Sequence, residues 1–444
     1  MRKSKRGGHS ENSITTKWDS SVSPSGFSGS RLLAVLTACL LIFAGCEDYG
    51  LVGEKIFDED VELETYTIPV GEIGTVEDTG YMGNLPFMSI GHYNDQEFGE
   101  VRAVGLIRPR RTWDIGDIDT IEEGDRVRLR LNFNTEMYGD PDSETDFELY
   151  RISEGWRGNQ ILTGDEISYD TSQIIGGFSV GGSGSESDSV LIELHPDWIA
   201  EYNGYLQMPG SNQDSLDNIY RNEFHGLAIV PVSGDSKIVF SNMLPIGDQE
   251  NNETDFARLV VDNEDPEIGR RTIPLYDWGT GLTRTSPENA QVEGLPLHNT
   301  LESYIEIDLG LTTESFRGRN IVNVELVLFQ DQDGLEMSLP AGHERLSISQ
   351  SRIHLIDESR VKRDFIFNRS PSFIAVRDSV DNGFRFNITS YANSVIHSTP
   401  PDGKLYLSVQ SMNGLLHSTK IQSQSAPEAR QPKIIVTSIK DPEE

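Results

Sequence analysis

Apolar and polar residues alternate over many short stretches of this chain. Between residues 127 and 133 every odd position is apolar and every even position is Arg or Asn. A period of two is typical of a β-strand that turns one face toward a core and the other toward water. The same reasoning predicts strands over residues 147–152, 190–194, 224–230, 305–309, 322–329, 384–388, 405–409 and 433–437.

The segments between these strands are mostly turns and loops. Residues 139–146 and 181–188 are rich in Gly, Asp and Ser, which favour turns. One short helix is predicted over residues 195–202, with Asp197 as its N-cap. Many short strands without helices between them predict an all-β fold, an antiparallel β-sandwich of the jelly-roll-like kind.

The two halves of the chain carry similar elements in the same order. Strand 127–133 has a counterpart at 322–329, an offset of about 195 residues. We therefore expect two related sandwiches, and the alternative is one large sandwich whose halves are unrelated. The predicted boundaries are a signal segment at 1–45, a tether and first strand at 46–65, an N-terminal β-sandwich at 66–245, a linker at 246–300 and a C-terminal β-sandwich at 301–444.

The charge balance excludes one class of partner. The chain has 37 Lys and Arg residues against 71 Asp and Glu residues, a net charge of −34. Such a field repels phosphate backbones, so we expect no binding of nucleic acid. Only seven lysines follow residue 46, and acid-rich, lysine-poor chains are typical of proteins that work in concentrated salt.

An apolar run near the N-terminus predicts where the protein is found. Residues 32–43 are almost all apolar, follow Arg31 and precede Ala44-Gly45-Cys46. Twelve residues are too few to span a bilayer, which takes about 20. The segment resembles a bacterial lipoprotein signal peptide, which implies cleavage before Cys46 and acylation of its thiol. The alternative is a plain cleaved signal in which Cys46 is a coincidence.

Cleavage at that site changes the cysteine count and the charge. The chain has two cysteines, and Cys39 would leave with the signal, so the mature protein could form no internal disulfide. Residues 1–45 hold six of the 37 basic and two of the 71 acidic residues, which leaves 31 against 69, a net charge of −38. We expect a body attached to the membrane through its N-terminal acyl chains.

Two acidic residues follow the cysteine. In lipoproteins of the Bacteroidota, an acidic run at the position of Glu47 and Asp48 resembles the signal for export to the outer face of the outer membrane. In enterobacterial lipoproteins an acidic residue there more often means retention at the inner membrane. The rest of the chain resembles the first group, so we expect an outer-membrane lipoprotein that faces the extracellular side.

A short motif carries that resemblance. The segment Gly91-His-Tyr93-Asn-Asp95-Gln-Glu-Phe98-Gly99 resembles the Gly-x-Tyr-x-Asp-Pro-x-Phe-Gly signature of an uncharacterised family of Bacteroidota surface lipoproteins, and departs from it in having Gln96 in place of Pro. Residues 292–294, 320–326, 384–389 and 432–437 resemble further parts of that family. The resemblance implies a secreted, β-rich lipoprotein and brings no functional residues with it.

The sequence offers few residues for catalysis or metal binding. No nucleophile elbow, zinc-binding helix motif or phosphate-binding loop is present, and no catalytic residue is predicted. His92 and His225 are expected to be structural. Asp331, Asp333 and the loop 140–146 offer oxygen ligands for Ca²⁺. Phe329 and Pro340 stand where a calcium loop requires carboxylates, which favours solvated turns, and no other cofactor is expected.

Trp156 and Arg157 are the candidate ligand-binding residues. They follow the strand 147–152 in a Gly-rich segment, where an exposed indole could stack on a sugar ring beside a guanidinium. A tryptophan that closes one end of a sandwich is the commoner case, and we expect this structural role for Trp156. We expect a non-catalytic binding or scaffold module for extracellular glycan or a partner surface protein, and the alternative is a polysaccharide hydrolase whose carboxylate pair is hidden among the many acidic residues.

Overall fold

The predicted alternation forms strands in the structure. The computed structural model describes residues 62–111, 120–181, 189–210, 212–234, 236–244, 256–263, 270–348, 350–356, 372–397, 404–409 and 413–439. In these residues the fold is all-β and the sheets are antiparallel, as expected for a β-sandwich. Val127, Leu129 and Leu131 are buried on one face of their strand, whereas Arg128 and Arg130 on the other face stay partly exposed.

The strands run in chain order as follows: β1 Leu63–Pro69, β2 Glu72–Glu77, β3 Phe87–Asp95, β4 Gly99–Pro109, β5 Asp125–Gly139, β6 Thr145–Ile152, β7 Tyr169–Asp170, β8 Gly176–Val180, β9 Ser189–Glu193, β10 Leu227–Pro231, β11 Ser236–Asn242, β12 Arg258–Asn263, β13 Arg270–Arg284, β14 Leu295–His298, β15 Ser303–Asp308, β16 Asn320–Phe329, β17 Gln350–Ile356, β18 Ser372–Val376, β19 Gly383–Asn387, β20 Lys404–Val409, β21 Ser418–Ile421 and β22 Lys433–Ile439. The α-helices are α1 Pro196–Leu206, α2 Gln213–Glu223, α3 Gln332–Met337 and α4 Thr389–Ile396.

The helices differ in part from the prediction. Helix α1 confirms the predicted helix, but its N-cap is His195, whose ring accepts a hydrogen bond from the Asp197 amide at 3.2 Å. Helix α2 was not predicted. It buries only Leu216 and Tyr220, which lie four residues apart on one face, and most of its other residues are polar. Among the described residues, no helix is long and apolar enough to cross a membrane.

The strands build four sheets within one unit, Leu63–Glu444. The largest has eleven strands, in the order β13-β12-β5-β11-β3-β4-β10-β6-β7, with β8 on β6 and β9 on β5. The second half of the chain supplies most of the strands of a four-stranded sheet, β1-β22-β16-β19, and of a five-stranded sheet, β18-β17-β20-β15-β2. Strands β14 and β21 form a separate pair.

The same pairing scheme occurs in both halves. In the first half β5 pairs with β9 and β12, β6 pairs with β8 and β10, and β10 pairs with β4. In the second half β16 pairs with β19 and β22, β17 pairs with β18 and β20, and β20 pairs with β15. Helix α1 follows β9 as α4 follows β19. This part of the strand order is therefore common to the two halves, although in the first half the strands belong to one sheet and in the second half to two.

The boundaries of the halves differ from the expected ones. The segment 246–300, expected to be a linker, supplies β12, β13 and β14. The first part of β13 pairs with β12 and the rest pairs with β4, so this strand belongs to the first sheet. At the other end of the chain, β1 pairs with β22 and β2 with β15, so both complete sheets of the second half.

Three large buried clusters stabilise this arrangement. One lies inside the first half and includes Leu129, Phe147 and Trp198, and a second lies inside the second half and includes Leu326 and Phe384. The third covers another part of the first sheet and includes Tyr138, Leu282, Leu415 and Leu416. Because Leu415 and Leu416 belong to the second half, the two halves share an apolar contact.

The signature motif lies in that contact. Both oxygens of Asp95 are bound by Arg345, at 2.9 and 2.8 Å, and the Tyr138 hydroxyl donates to the same carboxylate at 2.6 Å. Burial acts to raise the pKa of Asp95, but the hydrogen bonds and charge of Arg345 outweigh it, so the pKa is lowered. The neighbouring Glu97 binds Lys420 at 2.8 Å. Two buried ion pairs therefore join the halves.

The other signature residues pack around these pairs. The Phe98 ring lies 5.0 Å from the Arg345 guanidinium and 5.3 Å, edge to face, from the His298 ring. Gly99 has φ +80°, and a Cβ there would meet the Thr285 carbonyl oxygen at 1.7 Å, so only glycine fits. Gln96 is exposed in the turn, where the amides of Glu97 and Phe98 bind the Asp95 carboxylate.

Candidate ligand-binding cleft

Trp156 is not exposed. Its side chain is 5% exposed and belongs to the third buried cluster, and its indole Nε1 donates to the His225 carbonyl at 2.7 Å. The Arg108 guanidinium lies 5.2 Å from the ring centroid. The candidate sugar-stacking role is therefore wrong for Trp156, because its ring is almost fully buried. Trp156 is a structural residue of the core, as we expect from the sequence.

Arg157 is half-buried and its fork is bound to helix α2. Its Nη1 donates to the Arg221 carbonyl at 2.9 Å and its Nη2 to the Asn222 side-chain oxygen at 2.8 Å. Burial, then the neighbouring Arg108 guanidinium, lower the pKa of Arg157. The two predicted residues thus separate, with Trp156 in the core and Arg157 on its rim.

The acidic residues considered for Ca²⁺ have other roles. Asp331 caps α3, where its carboxylate accepts from the Gly334 amide at 2.9 Å, and Asp333 is exposed in the first turn. Among the described residues, no three His, Cys, Asp or Glu side chains are grouped so as to hold a metal ion.

A lysine supplies the cation at the loop 140–146. The buried Lys237 Nζ donates to the Ser143 carbonyl at 2.5 Å and to the Gly181 carbonyl at 2.8 Å. Burial lowers the pKa of Lys237, and Asp140 and Glu144 offset part of that effect. These carbonyl oxygens, which are the ligands Ca²⁺ prefers, are bound to the ammonium group.

Of the two histidines singled out in the sequence, His92 has a local side-chain partner. His92 Nε2 lies 2.7 Å from a Glu100 oxygen on the neighbouring strand. His225 is half-buried, and its pKa is lowered by burial and by Arg108 and Arg157. Cys46, Glu47 and Asp48 lie outside the described residues, so acylation and export remain predictions.

A cleft of about 180 Å³ opens on the first sheet, between strands β4 and β13 and the segment 165–169. The cleft is lined by alternating residues of two paired strands, Arg102, Val104 and Leu106 of β4 and Gly281 and Thr283 of β13, which form its floor. The other lining residues are Asp165, Glu166, Ile167 and Tyr169. Arg102 pairs with Thr283 across the two strands, so backbone hydrogen bonds fix the width of the floor.

An aromatic pair forms one wall. Tyr169 is half-buried and stacks on Tyr150, with ring centroids 5.7 Å apart and an interplanar angle of 23°. Arg102 donates to the Tyr169 hydroxyl at 3.4 Å. The Tyr150 hydroxyl is bound to Glu148, and this bond, with burial, raises the pKa of Tyr150 to about 12. The wall therefore consists of two stacked tyrosine rings, whose hydroxyls are bound to Arg102 and Glu148.

Carboxylates of the same segment also line the cleft. Asp165 accepts from the Leu162 amide at 2.8 Å, and its own amide donates to the Leu162 carbonyl at 3.2 Å, which closes a tight turn. The Gly164 amide donates to the Leu282 carbonyl at 2.7 Å and attaches the turn to β13. Glu166 follows and is exposed. The turn therefore holds acceptor oxygens at the mouth of the cleft.

The arrangement suits a small polar ligand. Its volume is below the ~300–1,000 Å³ of pockets for drug-sized ligands. It combines a tyrosine ring, a guanidinium, carboxylate oxygens and a threonine hydroxyl, which offer stacking with both donors and acceptors. Sequence reasoning missed this site, because its residues come from three separate segments. The available signal was the alternation of Arg102, Val104 and Leu106, which leaves a charged side chain in line with apolar ones.

Comparisons with known proteins do not identify a family. No protein-family model matches the chain, and no curated protein matches it. Among solved structures, the crystal structure of the infectious bursal disease virus VP2 subviral particle is similar at 11% sequence identity, over 86% of this chain and 76% of that chain, with a TM-score of 0.13. A TM-score of that size defines neither the fold nor the function of this protein.

Proposed function

We propose that this protein is a lipid-anchored surface protein that binds extracellular glycan, without catalysis, in the cleft beside Tyr169. One observation carries the proposal. The half-buried Tyr169 ring, whose hydroxyl accepts from Arg102, lines a small cleft that Asp165 and Glu166 also line. A ring face with donors and acceptors around it matches the mixed apolar and hydroxyl surface of a sugar.

The position of the cleft supports binding by a preformed site. Strands β4 and β13 are paired along residues 101–109 and 275–284, so the floor does not need to be ordered by the ligand. Asp165 is tied into its own turn, which leaves it poorly placed to move as a catalytic acid or base. Binding is therefore favoured over hydrolysis.

The anchor is part of the same proposal. The lipoprotein-like segment that ends at Cys46, followed by Glu47-Asp48, supports attachment at the outer face of the outer membrane. With a net charge of −38, the mature body would be repelled by anionic lipid headgroups, which suits a domain held away from the membrane on a tether.

The cleft is tested by binding of the mature chain to an array of extracellular polysaccharides. We expect Tyr169→Ala to weaken binding of the bound glycan about tenfold or more, by analogy with the ~1–3 kcal/mol of ring stacking on nucleobases. Tyr391→Ala is the control, because Tyr391 is also half-buried but lies in α4 of the second half. Equal losses in both variants would point to general destabilisation and would remove the cleft from the proposal.

Two further measurements separate the rival functions. Release of reducing ends from any bound polysaccharide would show hydrolysis and overturn a non-catalytic role. If no glycan binds and a surface protein of the same cell is cross-linked to the chain through the cleft, the scaffold function replaces glycan binding.

The anchor has its own test. Incorporation of labelled palmitate should be lost in Cys46→Ala, and proteinase added to intact cells should degrade the wild-type protein. Labelling that persists in Cys46→Ala refutes the anchor. Resistance to proteinase refutes the outward orientation and leaves the anchor in place.

A further inference from the structure

Three arginines gather at the other end of the strands that form the cleft. Arg108 is fully buried, and its Nη2 is bound to Asp277. Its Nη1 donates to the Arg221 carbonyl at 2.9 Å, and Arg157 donates to that same carbonyl, also at 2.9 Å. Arg108, Arg157 and Arg221 therefore lie close together in space, although the chain as a whole has a net charge of −34.

This cluster is short of negative charge. Asp277 is buried, and its two oxygens are used by Arg108 and by the Gly158 amide at 3.3 Å. In the part of the chain that the structure describes, Arg157 and Arg221 form no ion pair with an acidic side chain. Two buried nitrogens at the same place, Arg108 Nε and His225 Nδ1, have no hydrogen-bond partner among the described residues. Uncompensated cations and the unused Arg108 Nε donor are what an anion would complete.

An exposed aromatic ring lies beside the cluster. The Arg221 guanidinium sits 4.9 Å from the centroid of the Tyr276 ring, and Tyr276 is 36% exposed. Pairing of β13 with β4 shifts register between Leu275 and Asp277, so Tyr276 is the extra residue of a β-bulge. Bulges re-aim a side chain out of the strand's alternation. Here the bulge places the ring where it holds Arg221 in a stacked position.

We propose that Arg157, Arg221 and Tyr276 form a second subsite, which binds the carboxylate or sulfate group of an acidic polysaccharide. The planar Arg221 guanidinium presents a fork of donors that matches two oxygens of either anion, and Arg157, whose fork is bound to α2, adds positive charge beside it. The inference rests on the proposed function, because it names acidic polysaccharide as the class of glycan that the cleft takes.

The spacing of the two subsites favours a polymer as the ligand. Arg102, Val104, Leu106 and Arg108 alternate along one face of β4, so the cleft and the arginine cluster share that face. Arg108 follows Arg102 by six positions, which is about 20 Å along a strand. A polysaccharide chain can contact the cleft with one sugar and the arginine subsite with an anionic group further along.

The test compares three polymers on the full mature chain in about 0.15 M NaCl, where the Debye length of ~8 Å screens the distant negative charge. The polymers are polygalacturonate, dextran sulfate and neutral dextran. We expect wild-type protein to bind at least one of the two polyanions more tightly than dextran. Arg221→Gln should weaken that binding about tenfold. The comparison between polygalacturonate and dextran sulfate decides which anion the subsite takes.

Arg221→Gln is a clean variant, because Arg108 and Arg157 bind the backbone carbonyl of residue 221 and keep that contact. Arg110→Gln is the matched control, since it removes one exposed positive charge at the end of β4, outside the subsite. An equal loss in Arg110→Gln would show that overall charge governs binding, and would overturn the subsite. Arg221→Lys should restore only part of the affinity, because it keeps the charge and loses the fork.

Other outcomes separate this inference from the proposed function. If Arg221→Gln has no effect while Tyr169→Ala abolishes glycan binding, the subsite is wrong and the cleft stands. If none of the glycans tested for the cleft, acidic or neutral, binds the wild-type chain, both are wrong. If polyglutamate binds as tightly as the polysaccharides and Arg221→Gln weakens it equally, the subsite recognises acidic protein segments and the assignment to polysaccharide falls.

Discussion

Asp95 and Arg345 are 250 residues apart in the chain and form a buried, two-pronged ion pair where the two halves meet. Asp95 ends β3 in the first sheet, and Arg345 follows α3 in the second half. The pair gives a physical role to the aspartate of the signature motif. The same motif supplies Phe98, whose ring lies against Arg345, so one short turn of the first half receives several contacts from the second.

Breaking this pair should destabilise the protein strongly. We expect Arg345→Met to lower the free energy of unfolding by about 3–5 kcal/mol, because it leaves the Asp95 carboxylate buried without its cation. Unfolding in urea, followed by tryptophan fluorescence, measures the change. Asp95→Asn/Arg345→Met should recover part of the loss, since neither charge is then buried alone.

Arg317→Met serves as the control for that experiment. Arg317 pairs with Glu314 at 3.2 Å, but both side chains are largely exposed, so the free energy of unfolding should hardly change. If Arg345→Met has as small an effect as Arg317→Met, the contact between the halves does not depend on the Asp95–Arg345 pair.

The stability should fall with acid through His298. Its pKa is lowered to about 3 by burial and by Arg284, and Glu302 offsets only part of this. In the unfolded chain a histidine has a pKa near 6.5. Between pH ~6.5 and ~3 the unfolded state therefore holds a proton that the folded state lacks. The free energy of unfolding should fall as pH decreases through this window, by up to about 1.4 kcal/mol per pH unit from this residue.

The measurement is urea unfolding of the wild type and of His298→Gln between pH 8 and pH 4. The difference between the two curves isolates His298 from the carboxylates. Asp95 and Glu302 have lowered pKa values, so they add to the acid sensitivity only at the low end of the range. His92→Gln is the control, because His92 is partly exposed. Parallel pH curves for wild type and His298→Gln would contradict the prediction, because they would show that His298 takes up its proton as readily in the folded state as in the unfolded chain.

Strands that bury only one face were predictable, because apolar and polar residues then alternate along the sequence. Strand β5, with Val127, Leu129 and Leu131 inward, shows this directly. Several strands were missed, among them β3, β4 and β11. The segment of β12 and β13 was predicted to be a linker, because β12 is buried on both faces and β13 contains Pro274, Gly279 and Gly281, which resemble linker composition. Strands β1 and β2 join the sheets of the second half through pairing with β22 and β15, which are distant in the chain. A local sequence pattern cannot predict such pairing.

The candidate site was less predictable than the fold. Sequence reasoning singled out Trp156 and Arg157 because both follow a strand in a Gly-rich segment. Whether an indole there lies inward or outward depends on Arg108 and the His225 carbonyl, which are distant in the chain. The sequence predicts that Arg157 binds a ligand beside an exposed indole. In the structure its neighbour is Arg221, whose carbonyl accepts a hydrogen bond from it.

Calcium should not stabilise this protein at the loop 140–146. The Lys237 ammonium occupies the Ser143 and Gly181 carbonyls, so millimolar CaCl₂ or EDTA should leave the melting temperature unchanged. Lys237→Met should lower the free energy of unfolding by about 1–3 kcal/mol, the cost of leaving such acceptors without a donor. A calcium-dependent rise in melting temperature that disappears in Asp140→Asn would contradict this interpretation.

The excess of acidic residues should make the stability depend on salt. At a net charge of −34 the folded chain repels itself, and added ions screen that repulsion. We expect the melting temperature to rise between low salt and about 1 M NaCl. The buried pairs, Asp95 with Arg345 and Glu97 with Lys420, are shielded from ions and should not weaken the trend. A flat or falling melting temperature over that range would show that surface repulsion is a minor factor in the folded state.

Trp156 and Tyr169 should separate stability from binding. Trp156→Ala empties a buried site, breaks the hydrogen bond to the His225 carbonyl and removes the ring beside Arg108. We expect it to lower the free energy of unfolding by about 3–5 kcal/mol, as for other buried aromatic residues. At temperatures where the variant stays folded, its affinity for glycan should be close to that of the wild type. Tyr169→Ala should show the reverse, a small change in stability and a large loss of affinity. If Trp156→Ala abolishes binding with an unchanged melting temperature, the indole contacts the ligand directly and the cleft beside Tyr169 is not the site.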